Sequence, residues 1–200
     1  MIPNTVRAKR SRQQSFLPPV FVMSDENRGK SPLEIILTLP RHWGYIFRHY
    51  NAPDRQTLAK SLATVCRRRG IKFLIAGDWR LAYEVSADGI HIPEGLMRSR
   101  PPSPFLLHYR SKMITTSAHA ASGLRHASRM SLSAVFLSPV YPTPSHPSAT
   151  PIGTMAFSAF VRSSLIPVYA LGGLKRRDSL QLRAVGASGI AGIGLAEENV

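Results

Sequence analysis

The chain has 200 residues and a hydrophobic fraction of 44%, which suits one globular domain with a sizeable core. Lys and Arg total 26 against 11 Asp and Glu, and the resulting net charge of +15 favours anionic partners such as phosphorylated metabolites or nucleic acid. The single cysteine, Cys66, excludes an internal disulfide, and no apolar run approaches the roughly 20 residues that span a bilayer, so we expect a cytoplasmic protein without membrane association.

Residues 1–17 are predicted to form a basic tail. They carry four Lys and Arg residues and no acid. They also contain too few apolar residues to pack against a core, so we expect this segment to be disordered. Residues 18–200 are then expected to form a single domain.

From residue 20 onward, short β-rich runs alternate with helical patterns. Eight strands are predicted, at Val20–Ser24, Tyr45–Tyr50, Ile71–Ala76, Gly89–Ile92, Met113–Ser117, Ala134–Ser138, Ile166–Leu171 and Gly189–Ile193. Helices are predicted at Pro32–Leu39, Asp54–Arg69, Trp79–Val85, Ala120–Met130, Thr154–Ser164 and Arg176–Val185. Strands that alternate with helices imply parallel βαβ units, and eight such units favour a compact α/β protein of the closed (β/α)8 TIM-barrel type.

Two parts of the chain weaken this pattern. Pro101, Pro102 and Pro104 predict that any helix after the fourth strand is short or broken. Only residues 195–200 follow the last strand, so the last helix is expected to be truncated.

Three strand ends near the C-terminus carry residues that suit an anion. The sixth strand runs into a proline-rich loop with Thr143 and Ser145, the seventh runs into Gly172-Gly173, and the eighth runs into Gly194. Glycines and short hydroxyl residues let backbone N–H groups approach an anion closely. In a (β/α)8 barrel, the loops after the seventh and eighth strands often build a phosphate site. The sequence therefore predicts a phosphorylated small molecule as the ligand.

A set of short motifs occurs in order along residues 19–196 and resembles one superfamily. The motifs are Asp88-Gly89-Ile90-His91, Ser117-x-His119, Ser138-Pro139-Val140-Tyr141-Pro142-Thr143, Ala170-Leu171-Gly172-Gly173 and Gly186-Ala187-x-Gly189-Ile190-Ala191. Together they resemble the thiamine phosphate synthase and thiazole tautomerase superfamily of (β/α)8 barrels. The synthase is a transferase that couples a pyrimidine pyrophosphate to a thiazole phosphate with Mg²⁺. The tautomerase isomerises a thiazole carboxylate phosphate with a histidine and no metal.

The resemblance implies that the phosphate half of the site is retained. Gly172 and Gly173 match the family's paired glycines, whose amides hold the thiazole phosphate. A second pair of amides is matched by Ile193 and Gly194. The hydroxyls of Thr143 and Ser145 stand at the family's Thr-x-Thr positions, and the alternative is that their loop is only a rigid surface turn.

The metal and pyrophosphate half departs from the family pattern. The second strand of the family reads Gln-x-Arg-x-Lys, and of these polar residues only Arg48 remains, as a candidate catalytic residue. The family's two Mg²⁺-binding aspartates are missing, and the nearest carboxylates, Asp78 and Glu94, are weak candidates for a metal site. Asp78 is also a plausible cap of the helix that begins at Trp79. No cofactor is firmly implied, and Mg²⁺ is expected only if the synthase interpretation holds.

The candidate for proton transfer is His119, two residues beyond Ser117. A barrel places it at the carboxyl-terminal rim, where active sites form, and an imidazole suits reversible proton transfer. The alternative is a rim histidine bonded to a backbone carbonyl. His91 also matches a family histidine and is as well explained by a structural role.

Three functions remain open from the sequence. The preferred one is a metal-independent, tautomerase-like protein or a divergent paralogue that binds a thiazole phosphate in thiamine biosynthesis. The alternative is an active thiamine phosphate synthase. A remote alternative is nucleic-acid binding through the basic runs Arg67-Arg68-Arg69 and Lys175-Arg176-Arg177, although no recognition motif accompanies them. The resemblance also makes a homo-oligomer reasonable.

Overall fold

The computed structural model describes residues 17–27, 29–99, 112–145 and 147–197. In this part of the chain eight strands alternate with seven helices, and one 3₁₀ turn follows the last strand. The strands are β1 (Val20–Met23), β2 (Gly44–Phe47), β3 (Lys72–Ala76), β4 (Gly89–Ile92), β5 (Met113–Ala118), β6 (Ala134–Leu137), β7 (Val168–Leu171) and β8 (Gly189–Gly192). The helices are α1 (Pro32–Thr38), α2 (Arg55–Arg69), α3 (Trp79–Glu84), α4 (Glu94–Ser99), α5 (Ala121–Arg129), α6 (Gly153–Ser163) and α7 (Asp178–Ala184), and the 3₁₀ turn is Gly194–Ala196.

The eight strands close into a barrel in sequence order. Every neighbouring pair is parallel, and β8 returns to pair with β1, with Phe21 opposite Ala191 in the register. On its other side β1 pairs with β2, where Phe21 lies opposite Gly44. The sequence-based prediction of a closed (β/α)8 barrel is therefore confirmed.

The core has two layers. Inside the barrel, the rings of Phe21, Phe136 and Tyr169 pack edge to face, with ring centroids 5.2 to 5.3 Å apart. This is a preferred geometry of aromatic pairs. A larger apolar cluster, which includes Leu62 and Phe157, lies between the strands and the helices. Because both faces of the sheet are covered, β1, β2, β4 and β6 are buried along their whole length and the other four strands along most of theirs.

The second strand is shorter than the pattern indicates. The sequence extends it to Tyr50, whereas β2 ends at Phe47. The hydroxyl of Ser24 accepts the backbone N–H of Arg48 at 2.7 Å, so a side chain takes the place of a partner strand there. The chain turns at this point, and Tyr50 is half-exposed.

The start of the seventh helix differs from the pattern, whereas the short helix after β4 and the truncated last helix agree with it. Helix α7 begins at Asp178 rather than Arg176, because the Asp178 carboxylate accepts the Lys175 N–H at 2.8 Å and holds the preceding residues in a turn. A short helix, α4, does follow β4, while Pro101, Pro102 and Pro104 lie outside the described residues. The truncated last helix is the 3₁₀ turn.

Two further predictions from the sequence concern the basic tail and Cys66. The predicted tail lies outside the described residues except for Leu17, which packs against the barrel interior. Cys66 is fully buried in α2, where desolvation raises the pKa of its thiol to about 12, so it acts as a small apolar side chain as expected. None of the helices in the described ranges is long and apolar enough to cross a membrane.

We predict that Phe136→Ala destabilises the barrel because it removes the ring that contacts both Phe21 and Tyr169. The expected loss is about 3–5 kcal/mol of unfolding free energy, measured by urea denaturation. Leu180→Ala is the control, since its side chain is 82% exposed and we expect a change within about 0.5 kcal/mol. Equal effects of the two substitutions would contradict the proposed role of the aromatic cluster.

Candidate functional site

An open cavity of about 320 Å³ lies at the carboxyl-terminal rim of the barrel. Its walls come from the residues at the ends of β1, β2, β6, β7 and β8. Seven of the residues predicted as site residues line it, namely Arg48, Thr143, Ser145, Gly172, Gly173, Ile193 and Gly194. The fold therefore brings together groups that are up to 146 positions apart in the chain, from 48 to 194.

The paired glycines of this cavity allow two loops to touch. Gly172 and Gly173 have φ values of +93° and +68°, and a Cβ atom on Gly173 would lie 2.3 Å from the carbonyl oxygen of Pro142. The loop after β6 also bonds directly to the end of β7, with Tyr141 N–H donating to the Gly172 carbonyl at 3.1 Å. Glycine at these positions is thus required by the loop contact itself. A substitution such as Gly173→Asp would distort the loop and would not be a clean test of ligand binding.

Backbone donors are available beside these glycines. The N–H groups of Gly173 and Leu174 donate to no other group in the described chain, although both residues line the cavity. By contrast, the next N–H, that of Lys175, is taken by the Asp178 carboxylate. Two consecutive backbone N–H groups at a cavity wall, with no acceptor in the described chain, can donate hydrogen bonds to a bound anion.

Two cationic side chains line the same cavity. Arg48 is held by Ser24, a fully buried residue whose carbonyl oxygen accepts the Arg48 Nε–H at 2.8 Å. Lys175 also lines the cavity, and its Nζ makes no ion pair within the described ranges. In the sequence Lys175 belongs to the basic run Lys175-Arg176-Arg177, and its position in the site was not predicted. The one feature of the sequence that could have indicated this position is that Lys175 follows the Gly172-Gly173 pair by two residues.

The hydroxyl residues of the proline-rich loop have different environments. Thr143 Oγ1 accepts the backbone N–H of Ser145 at 3.4 Å, which shapes the loop locally. Ser145 is exposed and also lines the cavity. Both can contact a ligand in the cavity, and Thr143 also stabilises the turn.

His119 lies at the end of β5 and is not among the described residues that line this cavity. Its Nδ1 is 2.5 Å from Glu94 Oε2, and its backbone N–H donates to the same oxygen at 3.1 Å. The carboxylate therefore fixes both the backbone and the ring. When a neutral imidazole donates a proton from Nδ1, its Nε2 carries the lone pair that acts as a base. The alternative of a bond to a backbone carbonyl is not the arrangement found at Nδ1.

The two weak metal candidates have other partners. Asp78 caps α3 as expected, since its Oδ1 accepts the Leu81 N–H at 3.0 Å, and its Oδ2 lies 3.1 Å from the Arg55 guanidinium. Glu94 holds His119. Among the residues that the structure describes, no group of three or more His, Cys, Asp and Glu side chains is placed to hold a metal. The carboxylates as arranged do not fit a divalent cation, which needs several oxygen ligands.

The end of β2 is filled by aromatic and cationic groups. Arg55 donates to the carbonyl oxygens of His49 and Ala76 at 2.7 and 2.9 Å. Its guanidinium lies 5.7 Å from the ring centroids of Phe47 and of Tyr50. Tyr50 stands where the resembled family has a lysine, so this half of the rim offers fewer polar groups to a second ligand.

A buried histidine lies inside the barrel below the rim. His91 is 3% exposed, with Nδ1 3.0 Å from Thr115 Oγ1 and Nε2 3.1 Å from Ser117 Oγ. Burial, with a smaller effect of the Arg48 charge, lowers the pKa of His91 to about 3. The ring is thus neutral and acts as a structural link between β4 and β5.

Two sequence comparisons with known proteins point to one family, and a comparison with solved structures supports the fold. The sequence model of the thiamine monophosphate synthase family matches residues 42–195. A protein of Aquifex aeolicus (strain VF5) named "Putative thiamine-phosphate synthase 2" is 30% identical over 184 residues, which cover 90% of this chain and 97% of that protein. The thiamine-phosphate synthase of Bacillus mycoides (strain KBAB4) is 26% identical over 98% of this chain and 92% of its own. Among solved structures, thiamine phosphate pyrophosphorylase from Pyrococcus furiosus has a TM-score of 0.76 at 22% identity, over 93% of this chain and 90% of that one, a likeness of fold.

We predict that His91 makes the protein less stable in mild acid. Its pKa is lower in the folded state than in the unfolded chain, so the unfolded state binds more protons as the pH falls below about 6.5 and folding free energy is lost down to about pH 3. Between pH 7.5 and 5.5 the wild type should lose about 1.4 kcal/mol more than His91→Gln. Urea denaturation at the two pH values measures this, and parallel losses would contradict the assignment.

Proposed function

This chain belongs to the thiamine monophosphate synthase family, an enzyme family, and we propose that its rim cavity binds the phosphate of a phosphorylated thiazole. We further propose that its chemistry is metal-independent proton transfer of the tautomerase type, on a thiazole or a related phosphorylated ring. The observation that carries the proposal is the contrast between the two halves of the rim. The phosphate half offers uncommitted donors, whereas the carboxylates of the other half are already paired.

Four donors support phosphate binding. The adjacent amides of Gly173 and Leu174 donate to no other group in the described chain, and Arg48 and Lys175 add two positive charges to the same cavity. Hydrogen bonds from charged groups to phosphate are stronger than neutral ones. Because Ser24 already holds the Arg48 side chain, little conformational freedom of that side chain is lost on binding.

The pair of His119 and Glu94 supports proton transfer. Both residues stand at the same end of the barrel as the cavity, after β5 and β4 respectively. In the proposed reaction, Nε2 of His119 removes a proton from a ring carbon and returns it to another atom of the same ring, so the ligand isomerises without net change in composition. Glu94 orients the imidazole and stabilises the cation that forms in between.

The second candidate function is coupling of a pyrimidine pyrophosphate to a thiazole phosphate. The names of the relatives favour it, since they are called thiamine-phosphate synthases. Such a reaction relies on Mg²⁺ in the family, and here Asp78 and Glu94 would both have to leave their present partners to bind the ion. We therefore rank it second. Cytoplasmic location, self-association and the absence of nucleic-acid binding stay predictions.

The deciding experiment offers purified protein both sets of substrates. We expect isomerisation of a thiazole carboxylate phosphate that is insensitive to EDTA, and no formation of thiamine phosphate from the two synthase substrates with Mg²⁺ present. Robust Mg²⁺-dependent formation of thiamine phosphate would overturn the first proposal and establish the second.

For the phosphate site, we predict that Lys175→Ala weakens binding of a thiazole phosphate about 10- to 100-fold, because a charge-assisted hydrogen bond of about 1.5–3 kcal/mol is lost. Isothermal titration calorimetry measures the affinity. Lys60→Ala, which removes an exposed lysine of α2, is the matched control and should leave affinity unchanged. If both variants bind like the wild type, Lys175 does not contact the ligand.

For the proton-transfer step, we predict that His119→Asn abolishes isomerisation, with thiazole phosphate affinity kept within about threefold, which is under 0.7 kcal/mol. His126→Asn on α5 removes another exposed histidine and should keep full activity. Glu94→Gln should lower the turnover rate more than it changes KM, since it leaves the base present but less well oriented. Full activity of His119→Asn would show that another group transfers the proton.

A further inference from the structure

A second cavity, of about 690 Å³, lies at the opposite end of the barrel. Its polar lining includes His42, Arg67, Lys72, Asp88 and Lys112, which we call the amino-terminal basic cavity. Lys72 is the first residue of β3, while Asp88 and Lys112 immediately precede β4 and β5. In a parallel barrel all strands begin at the same end, so this cavity is separated from the rim cavity by the length of the strands.

The charges of this cavity are unbalanced. Arg67, Lys72 and Lys112 are exposed cations from three different elements, and Asp88 is the single acid among them. Both Asp88 oxygens are already engaged, with Oδ1 2.8 Å from Lys72 Nζ and Oδ2 accepting the Phe73 N–H at 3.0 Å. Neither Arg67 nor Lys112 forms an ion pair within the described ranges.

Stability alone does not account for this arrangement. Arg67 lies in the last turn of α2, where a cation interacts favourably with the helix dipole, but that effect does not extend to Lys112. The pair of Lys72 and Asp88 is partly exposed and contributes little. Cations gathered around one concavity repel each other, so the arrangement is better explained by an anion that enters it.

We propose that the amino-terminal basic cavity binds a condensed phosphate, that is, a pyrophosphate or longer phosphate chain, free or as the tail of a nucleotide. Such an anion carries several negative charges within a short length and can contact cations from three elements at once. His42 adds a further ring donor at the cavity edge. A duplex would instead need a row of cations along an open surface, with Lys and Arg contacts to successive phosphates.

The test measures pyrophosphate binding to the full chain by calorimetry at low ionic strength. Ser145→Asp adds a carboxylate to the wall of the rim cavity, which should weaken pyrophosphate binding there and leave binding at the amino-terminal basic cavity unchanged. In that background, we expect Arg67→Ser with Lys112→Ser to weaken binding at least tenfold. Arg67→Lys with Lys112→Arg keeps both charges, and because the proposed attraction depends on charge, we expect binding within about threefold of the parent.

The matched control removes two positive charges from surface positions outside the amino-terminal basic cavity. Lys60→Ser with Arg183→Ser deletes two exposed cations, and Arg183 lies in the last turn of α7 as Arg67 does in α2. This control should bind pyrophosphate like its parent. Equal weakening in the control would overturn the proposal in favour of net charge alone.

Three further results would also overturn the proposal. They are the absence of pyrophosphate binding in the wild type, loss of all binding in Ser145→Asp, and displacement of pyrophosphate by duplex DNA with a steep salt dependence.

The source of the anion is decided by comparing the binding of pyrophosphate with the binding of ADP. Equal affinities with equal sensitivity to the Arg67 and Lys112 substitutions identify a nucleotide tail, and a clear preference for pyrophosphate identifies the free anion. The Arg67 and Lys112 substitutions lie at the other end of the barrel from the rim cavity, so failure of this proposal can be distinguished from failure of the proposed function.

Discussion

The pairing of β8 with β1 is the constraint on which the site depends. Only this parallel contact, with Phe21 opposite Ala191, brings the last strand back beside the first. It places the end of β8 next to the ends of β1 and β2, so that Gly194 and Arg48 can line one cavity. An open sheet would leave the same residues at opposite edges. The closed ring also fixes direction, because all eight strands end at the same rim.

Polar groups at the rim are held by partners on neighbouring strands or loops. Ser24, after β1, holds Arg48 after β2, and Glu94, after β4, holds His119 after β5. Asp78, after β3, caps α3 and pairs with Arg55. The consequence is a division of the rim into two parts. Carboxylates are used to orient cations and a histidine, while backbone amides and two cations face the cavity that we assign to phosphate.

Positively charged side chains line a cavity at each end of the barrel. Arg48 and Lys175 lie at the carboxyl-terminal rim, and the amino-terminal basic cavity lies at the other end. The amino-terminal end of such barrels usually serves stability rather than binding. Here the engaged carboxylate of Asp88 leaves the cations of Arg67 and Lys112 uncompensated.

Much of the architecture could be predicted from the sequence, because the alternation of apolar runs with helical patterns depends on local periodicity alone. The glycine pair after β7 and the hydroxyl residues after β6 were also visible, since chain order fixes which strand they follow. The end of β2 was not, because a hydroxyl from another strand, that of Ser24, ends the ladder at Phe47.

The barrel, the glycine and hydroxyl residues that follow its last strands and the departures from the family's aspartates could all be predicted from the order of residues along the chain. Three contacts became known from the folded structure: Lys175 lines the cavity, Glu94 holds His119, and Asp78, beyond its expected helix cap, pairs with Arg55. The reason is physical. Hydrogen bonds and ion pairs at the rim join side chains from different strands, and their geometry is set by the closure of the sheet rather than by spacing along the chain.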